Sequence, residues 1–332
     1  MNGKSSLCEI KNLHTGFRIR DKYFDAVDDV SIEIYPNEVL AIVGESGCGK
    51  STLATTIMGL HNPNYTKISG EVIFEGRNIL TLGEDEYNKI RGGKIGMIFQ
   101  DPLSALNPLQ RIGEQIEEGL IYHTDLDAAG RKKRAIELLE KVGIDNAQRA
   151  YRRFPHELSG GMRQRVIIAI ALACKPKMLI ADEPTTALDV TIQAQILDLI
   201  LDLQKEMKAG IMLITHDLGV VAQIADRVAV MYAGQIVEIA PSTELFKNPL
   251  HPYTRSLLNS IPQIDSDEKE LHVIEGMVPS LKNLPRTGCR FAPRISYIPE
   301  SAHEKNPTLH KVGENHYVRC TCWKSFYFKE EE

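Results

Sequence analysis

Three short stretches stand in a fixed order along this chain, and together they leave few folds open. The first is an apolar, β-branched run, Val39-Leu40-Ala41-Ile42-Val43, ending directly on Gly44-Glu45-Ser46-Gly47-Cys48-Gly49-Lys50-Ser51. A buried parallel strand feeding a glycine-rich turn and then a helix is the local build of a phosphate loop. Glycines let backbone N–H groups turn inward around an anion, at the positive end of the helix that follows. The second stretch is Leu158-Ser159-Gly160-Gly161-Met162-Arg163-Gln164-Arg165, a glycine turn opening the apolar run Val166 to Cys174. In the third, Met178-Leu179-Ile180-Ala181 closes on the carboxylates Asp182 and Glu183. Apolar strands separated by helix-length segments predict an α/β fold with a mostly parallel sheet covered on both faces.

Further elements fit between these anchors. The helix after the loop is expected from Lys50 to Met58, ended by Gly59. Ile95-Gly96-Met97-Ile98-Phe99 reads as a second buried strand, closed by Gln100 and broken by Pro102. From Leu103 to Arg165 the apolar positions Ile112, Ile116, Leu120, Ala135, Leu138, Leu139 and Val142 recur at helical spacing, which predicts an inserted helical subdomain over about 103–165. An amphipathic helix from Thr191 to Lys205 and a strand from Ile211 to Ile214 come next. Val228 to Met231 and Gln235 to Val237, joined through Ala233-Gly234, predict a hairpin. Past Pro249 long periodic segments vanish, so the expected division is a nucleotide-binding domain over 1–248 and an accessory region over 249–332.

Each anchor brings chemistry. Lys50 supplies a cation to β- and γ-phosphates, and the Ser51 hydroxyl is a ligand for Mg²⁺. Asp182 and Glu183, at the carboxyl end of a strand, face the crevice where such sheets bind ligands. Asp182 suits Mg²⁺ coordination, and Glu183 is free to polarise an attacking water as general base. Cys48, inside the loop and near a helix N-terminus, is expected to have a lowered pKa, so that its alkylation blocks nucleotide binding. The charge balance of 39 Lys+Arg against 44 Asp+Glu, net −5, carries no basic surplus that would point to a nucleic-acid partner. The longest apolar run, Val166 to Cys174, is well short of the ~20 residues that span a bilayer, and the polar start lacks the apolar stretch of a secretory signal. The chain reads as cytoplasmic, so any membrane work is expected to be done through partner subunits.

With phosphate loop, Ser-Gly-Gly turn and acidic strand end in this order, the chain resembles the nucleotide-binding subunit of an ABC transporter, which implies a small antiparallel β-subdomain beside the mostly parallel sheet. The resemblance implies that Gly44, Glu45, Ser46, Gly47, Cys48, Gly49, Lys50, Ser51 and Thr52 contact ATP. It makes Gln100 the Q-loop glutamine, reaching Mg²⁺ and the attacking water, and His216, in Thr215-His216-Asp217, the switch histidine at the γ-phosphate. Pro184-Thr185-Thr186-Ala187-Leu188-Asp189 matches the D-loop, with Asp189 counted among the nucleotide-site residues. Two such subunits sandwich two ATP molecules head to tail, so Ser159, Gly160 and Gly161 clamp the γ-phosphate bound to a second subunit. An aromatic ring upstream of the loop stacks on adenine; Tyr23 is the expected one, with Phe24 and then Phe17 as alternates. Lys50, Gln100, Ser159, Glu183 and His216 are all present, so the chain is expected to hydrolyse ATP.

Pro155-His156-Glu157-Leu158 and Asn248-Pro249-Leu250-His251-Pro252-Tyr253-Thr254-Arg255 are similar to the ATPases of oligopeptide and dipeptide importers and of related nickel importers. Physically the second segment is a proline-bounded turn entering an amphipathic helix. The resemblance implies a second homologous ATPase subunit, two transmembrane permease subunits and an extracellular substrate-binding protein. The leading cargo is peptide and the alternative is nickel or a metal chelate. A soluble, non-transport ABC ATPase is the reading from another class; it is disfavoured because only one phosphate loop and one signature occur.

Many members of this branch bind an iron–sulfur cluster through four C-terminal cysteines. Here Cys289 and Cys320 keep the frame, but Ile295 and Ser301-Ala302 replace the middle two, and Cys322 stands too close to Cys320 to replace both. An iron–sulfur cluster is therefore not expected. Zinc held by Cys289, Cys320, Cys322 and one of His303, His310 or His316 has enough ligands but an unfamiliar spacing. The reading adopted is a lobe held by proline and apolar contacts.

Overall fold

A computed structural model describes residues 5–186, 188–260 and 276–328. Ala187 of the D-loop and parts of the C-terminal region lie outside the described residues. The chain divides into two compact units, one made mainly of Ile73–Ile214 with Glu33–Glu38, the other of Glu9–Ile32, Val39–Val72 and the residues from Thr215 on.

The first unit is built on parallel strands Ile95–Ile98, Met178–Asp182 and Gly210–Ile214, with Ile95 opposite Met178 and Met178 opposite Gly210. All of their residues are buried, which is why they read as continuous apolar runs without alternation. The first ends at Ile98, one residue before the expected Phe99. Pro102 does more than break it: the residue opens the helix Pro102–Ala105, a first-turn position at which the missing N–H costs nothing. Helices Ile112–His123, Ala128–Lys141 and Ala147–Tyr151 follow, and the predicted positions Ile112, Ile116, Leu120, Ala135, Leu138 and Leu139 are their buried faces.

The helix Gly160–Leu172 starts on Ser159, whose Oγ accepts from the Met162 N–H at 3.4 Å. Its Val166–Ala169 run is buried on all sides, as expected of a helix whose sequence is apolar all round. Val190–Met207 extends the expected 191–205 helix at both ends, and Asp189 caps it by accepting from the Ile192 N–H at 3.0 Å.

The second unit holds Val39–Val43 parallel to Arg227–Tyr232, with Ala41 opposite Val228. The expected hairpin is present and longer, Arg227–Tyr232 against Gln235–Pro241. Two strands not expected from the sequence, Leu309–Gly313 and His316–Arg319, continue this sheet: Glu238 pairs with Val318, and His310 with Val318 on the other side. An antiparallel sheet of Lys22–Ile34, Cys8–Ile19 and Thr66–Phe74 belongs mostly to the same unit. Its core joins Val43, Val230 and Tyr232 to Tyr253, Phe291, Ile295, Ile298 and Phe326.

Candidate functional site

In the second unit the strand Val39–Val43 delivers the phosphate loop and the helix Lys50–Ile57 carries it away. Two glycines are dictated by their surroundings. At Gly49, φ is +108° and a Cβ would lie 2.5 Å from the Ala26 carbonyl oxygen; at Gly44 it would lie 2.1 Å from that of Met231. Ser46 and Gly47 form the exposed crest, while Cys48 and Lys50 are buried beneath it. Lys50 Nζ donates to the carbonyl oxygens of Gly44 at 2.7 Å and Glu45 at 3.1 Å, so the ammonium is held under the loop backbone.

The expectation for Cys48 is corrected here. Its thiol is 1% exposed, and burial pushes its pKa up, outweighing the pull of Lys50 in the opposite direction. A helix N-terminus lowers a thiol pKa only where the thiolate keeps enough solvation to exist. Cys48 is a packing residue.

The structure surrounds the loop with side chains from distant sequence. The Glu45 N–H donates to the Tyr253 hydroxyl at 2.8 Å. The Glu45 carboxylate takes both arms of the Arg294 guanidinium, at 2.7 and 3.4 Å. Burial pulls Arg294 down, yet its hydrogen bonds to Glu45 and Tyr232 prevail and hold it above its ordinary pKa. Tyr253 is itself fixed by the turn before its helix Pro252–Asn259. There the Glu238 carboxylate, fully buried, accepts from the N–H groups of Leu250 at 2.8 Å and His251 at 3.0 Å and faces His316 Nε2 at 2.8 Å. The His251-Pro252-Tyr253 segment was visible in the sequence, but its grip on Glu45 was not, because the two lie 208 residues apart.

Of the aromatic candidates, Tyr23 leaves its ring 45% exposed at the start of a strand. Phe24 lies under the Arg286 guanidinium at 5.9 Å, and Phe17 packs edge-on against His61 at 5.3 Å. His216 is exposed beyond the strand Gly210–Ile214, next to Asp217, whose carboxylate accepts from the Val220 N–H at 3.1 Å. Ser51 and Thr52 lie in the first turn of the loop helix.

The first unit brings Gln100, Asp182 and Glu183 to the carboxyl ends of neighbouring strands. Asp182 is buried as the last residue of its strand, while Glu183 turns out of it with φ +47°. A non-glycine residue in that left-handed region is strained, and such strain gathers at functional positions. The Glu183 N–H donates to Ile214 O at 2.9 Å, and Oε2 accepts from both Gln100 Nε2 and Thr186 Oγ1 at 2.9 Å. The carboxylate is thus aimed from two sides. Ser159 and Gly160 are exposed at the start of the 13-residue helix Gly160–Leu172, and a Cβ on Gly160 would meet none of the described residues within 4 Å. One residue that sequence reasoning missed is Gln164. From the buried side of the same helix, its Nε2 donates to Pro184 O at 2.6 Å, tying the Ser159–Gly161 turn to the loop after Glu183.

Comparison with known proteins fits this arrangement. Residues 27–186 match the family described as ABC transporter, and residues 237–298 match that described as oligopeptide/dipeptide transporter, C-terminal region. The oligopeptide transport ATP-binding protein OppD of Lactococcus lactis subsp. cremoris is 52% identical over 328 residues, 98% of this chain and 97% of that protein. The oligopeptide transport ATP-binding protein AppD of Bacillus subtilis is 50% identical over 330 residues, 98% of each. Among solved structures, the dimeric, ADP- and phosphate-bound post-hydrolysis state of the ATP-binding cassette MJ0796 aligns with a TM-score of 0.64 and 32% identity. That alignment covers 71% of this chain and 98% of the other. Phosphate loop, signature turn, aimed carboxylate and full-length likeness agree: the chain belongs to the ATP-binding proteins of ABC transporters, in the branch with an oligopeptide/dipeptide-type C-terminal region.

Proposed function

We propose that this chain hydrolyses ATP to drive a membrane importer of oligopeptides or dipeptides. The observation that carries the reading is the Tyr253–Glu45 hydrogen bond at 2.8 Å. The segment by which the peptide-transport branch is recognised is built into the phosphate loop itself. ATP hydrolysis belongs to the family as a whole, and Mg²⁺ accompanies the nucleotide. The Ser51 hydroxyl, the Asp182 carboxylate and the Gln100 amide oxygen are hard oxygen donors of the kind Mg²⁺ takes. When bound, the ion neutralises charge on the β- and γ-phosphates.

The residues divide the work as follows. Loop amides and Lys50 hold the triphosphate, and Tyr23 stacks on the base. Gln100 and Thr186 orient Glu183, whose carboxylate takes a proton from the attacking water. His216 steadies the γ-phosphate. Ser159 and the Gly160-Gly161 amides act on the nucleotide of a second ATPase subunit, since a helix N-terminus open to solvent is an anion site. The partner is a homologous ATPase, and the pair engages two permease subunits served by an extracellular substrate-binding protein. Among the described residues no helix is long and apolar enough to cross a membrane, which fits a peripheral place on the cytoplasmic face.

The test is uptake of a labelled oligopeptide, with nickel in parallel, by cells carrying the wild-type or Glu183→Gln chain, combined with phosphate release from the purified protein. Glu183→Gln is expected to lower hydrolysis by about 10²–10⁴-fold with ATP binding retained, and to abolish peptide uptake alone. Loss of nickel uptake alone would replace the cargo, and unimpaired hydrolysis would remove Glu183 from the mechanism.

A further inference from the structure

Three separate segments of the C-terminal region converge on one point. Cys289 comes from the turn before Ala292–Arg294, His303 follows the turn Glu300–Ala302, and Cys320 and Cys322 follow the strand His316–Arg319. One ligand atom from each of the four lies within 4.8 Å of all the others. The three cysteines are buried and none is in a disulfide. His303 Nδ1 is buried with no hydrogen-bond partner among the described residues, an arrangement that costs free energy unless something else satisfies the nitrogen. Cys320 sits at φ +68°, a strained conformation for a side chain of its kind, and this kink directs Cys320 and Cys322 to the same place. The Glu304 N–H approaches Cys320 Sγ at 3.4 Å, as outer-sphere amides do at metal-bound thiolates.

We propose that Cys289, His303, Cys320 and Cys322 form a structural Zn²⁺ site. Three thiolates and an imidazole are a known closed set for tetrahedral zinc. With Zn–S about 2.3 Å and Zn–N about 2.0–2.1 Å, tetrahedral geometry sets ligand atoms roughly 3.5–3.8 Å apart, inside the observed bound. The same spacing argues against a four-iron cluster, which needs four donors spread around a cube of iron and sulfide. The fourth thiolate is also absent: the Ile295 side chain is packed in the apolar core instead. Of the other histidines, His316 is engaged by Glu238 at 2.8 Å and His310 faces Glu304 at 2.6 Å, leaving His303 as the nitrogen donor. The ion pins the segment that carries Arg290 and Arg294. Arg290 donates to Asp28 and to the Ala233 carbonyl, and Arg294 grips Glu45 of the phosphate loop.

The test is elemental analysis of the full chain purified under reducing conditions without chelator, beside His303→Ala, Cys320→Ser and the control Cys174→Ser. The expected result is about one zinc per chain in wild type and control, with at least a fivefold loss in the other two. Replacement by Co²⁺ should give the absorption of a tetrahedral thiolate site, and chelation should lower the melting temperature by several degrees. His303 is partly exposed, so its variant is expected to fold even if Cys320→Ser does not. A chain that is isolated metal-free and takes up no added Zn²⁺ would overturn the assignment. So would iron with acid-labile sulfide after anaerobic purification, a native disulfide among the three cysteines, or full zinc content in His303→Ala.

Discussion

The pair Arg294–Glu45 is the sharpest place to test whether the C-terminal region is part of the phosphate loop's electrostatics. Its two partners are unequally sealed, with Arg294 5% and Glu45 30% exposed. Breaking a buried pair on one side costs roughly 3–5 kcal/mol, because the remaining charge is stranded. Glu45 keeps some water, so Arg294→Gln should cost less on that account, about 1.5–3 kcal/mol. The guanidinium also lies 5.8 Å from the Tyr232 ring and 5.6 Å from that of Phe291, which adds roughly 0.5–1 kcal/mol. Glu45→Gln strands the drier partner and should cost about 2–4 kcal/mol. The double variant strands neither charge, so its loss should fall short of the sum by about 1–2 kcal/mol.

Urea unfolding of the four proteins gives this coupling directly. A second readout is ATP affinity. In Arg294→Gln the uncompensated Glu45 carboxylate faces the triphosphate, and about 1 kcal/mol of repulsion weakens binding roughly fivefold. Adding Glu45→Gln should restore it. Additivity within about 0.5 kcal/mol, with ATP affinity unchanged in the single variant, would refute the reasoning.

Other expectations follow from single sites. Gly49→Ala should cost roughly 3 kcal/mol or more, since the new Cβ would sit 2.5 Å from a backbone oxygen at φ +108°. Gly160→Ala meets none of the described residues within 4 Å and should keep its melting temperature within about 2 °C while losing ATPase activity. Thermal scans and phosphate release on both variants check the contrast. Burial holds His251 neutral, with its pKa lowered to about 4 from an ordinary 6.5. The unfolded chain therefore binds a proton that the folded one refuses. Stability is full above pH 6.5 and falls by up to about 3 kcal/mol as pH drops towards 4. His251→Asn keeps an acceptor for the Tyr253 N–H and should flatten that slope in pH-dependent unfolding. Cys48 should react with alkylating reagents at least tenfold more slowly than the half-exposed Cys174, as followed by peptide mass spectrometry of the native protein.

What the sequence disclosed divides along a physical line. The strands Val39–Val43, Met178–Asp182 and Gly210–Ile214 were legible because a strand buried on both faces must be apolar throughout. Residues placed by their own neighbours were also legible: Lys50 in the loop helix, Ser159 in the turn that opens a helix, Glu183 at a strand end. The strands Leu309–Gly313 and His316–Arg319 were not, because the outer one is half-exposed and carries His310 and Lys311 in place of an apolar pattern. Cys48 misled because a helix end is a local signal, whereas the burial that overrides it comes from the packed loop around it. Cys289, Cys320 and Cys322 were legible as possible zinc ligands, but their convergence, and His303 as the histidine that joins them, follows only from the turns of the chain.

The long-range contacts that sequence could not show point in one direction. From beyond residue 249, Tyr253 and Arg294 hold Glu45, Arg290 binds Asp28 and the Ala233 carbonyl, and Arg319 binds Asp29 at 3.2 Å. Arg286 covers Phe24 and donates to Asp25 O at 2.9 Å, beside the strand that presents Tyr23. Four arginines thus answer acidic side chains and carbonyls that flank the nucleotide-facing loop and its aromatic neighbour. An appendage with separate work would face its charges outward, where they are worth little. Here they are spent on groups within the same unit, and removing the region would take Arg290 from Asp28, leaving it to His14 at 3.0 Å, and Arg294 from Glu45 of the phosphate loop. By these contacts the described residues beyond 249 pack into the same compact unit as the phosphate loop.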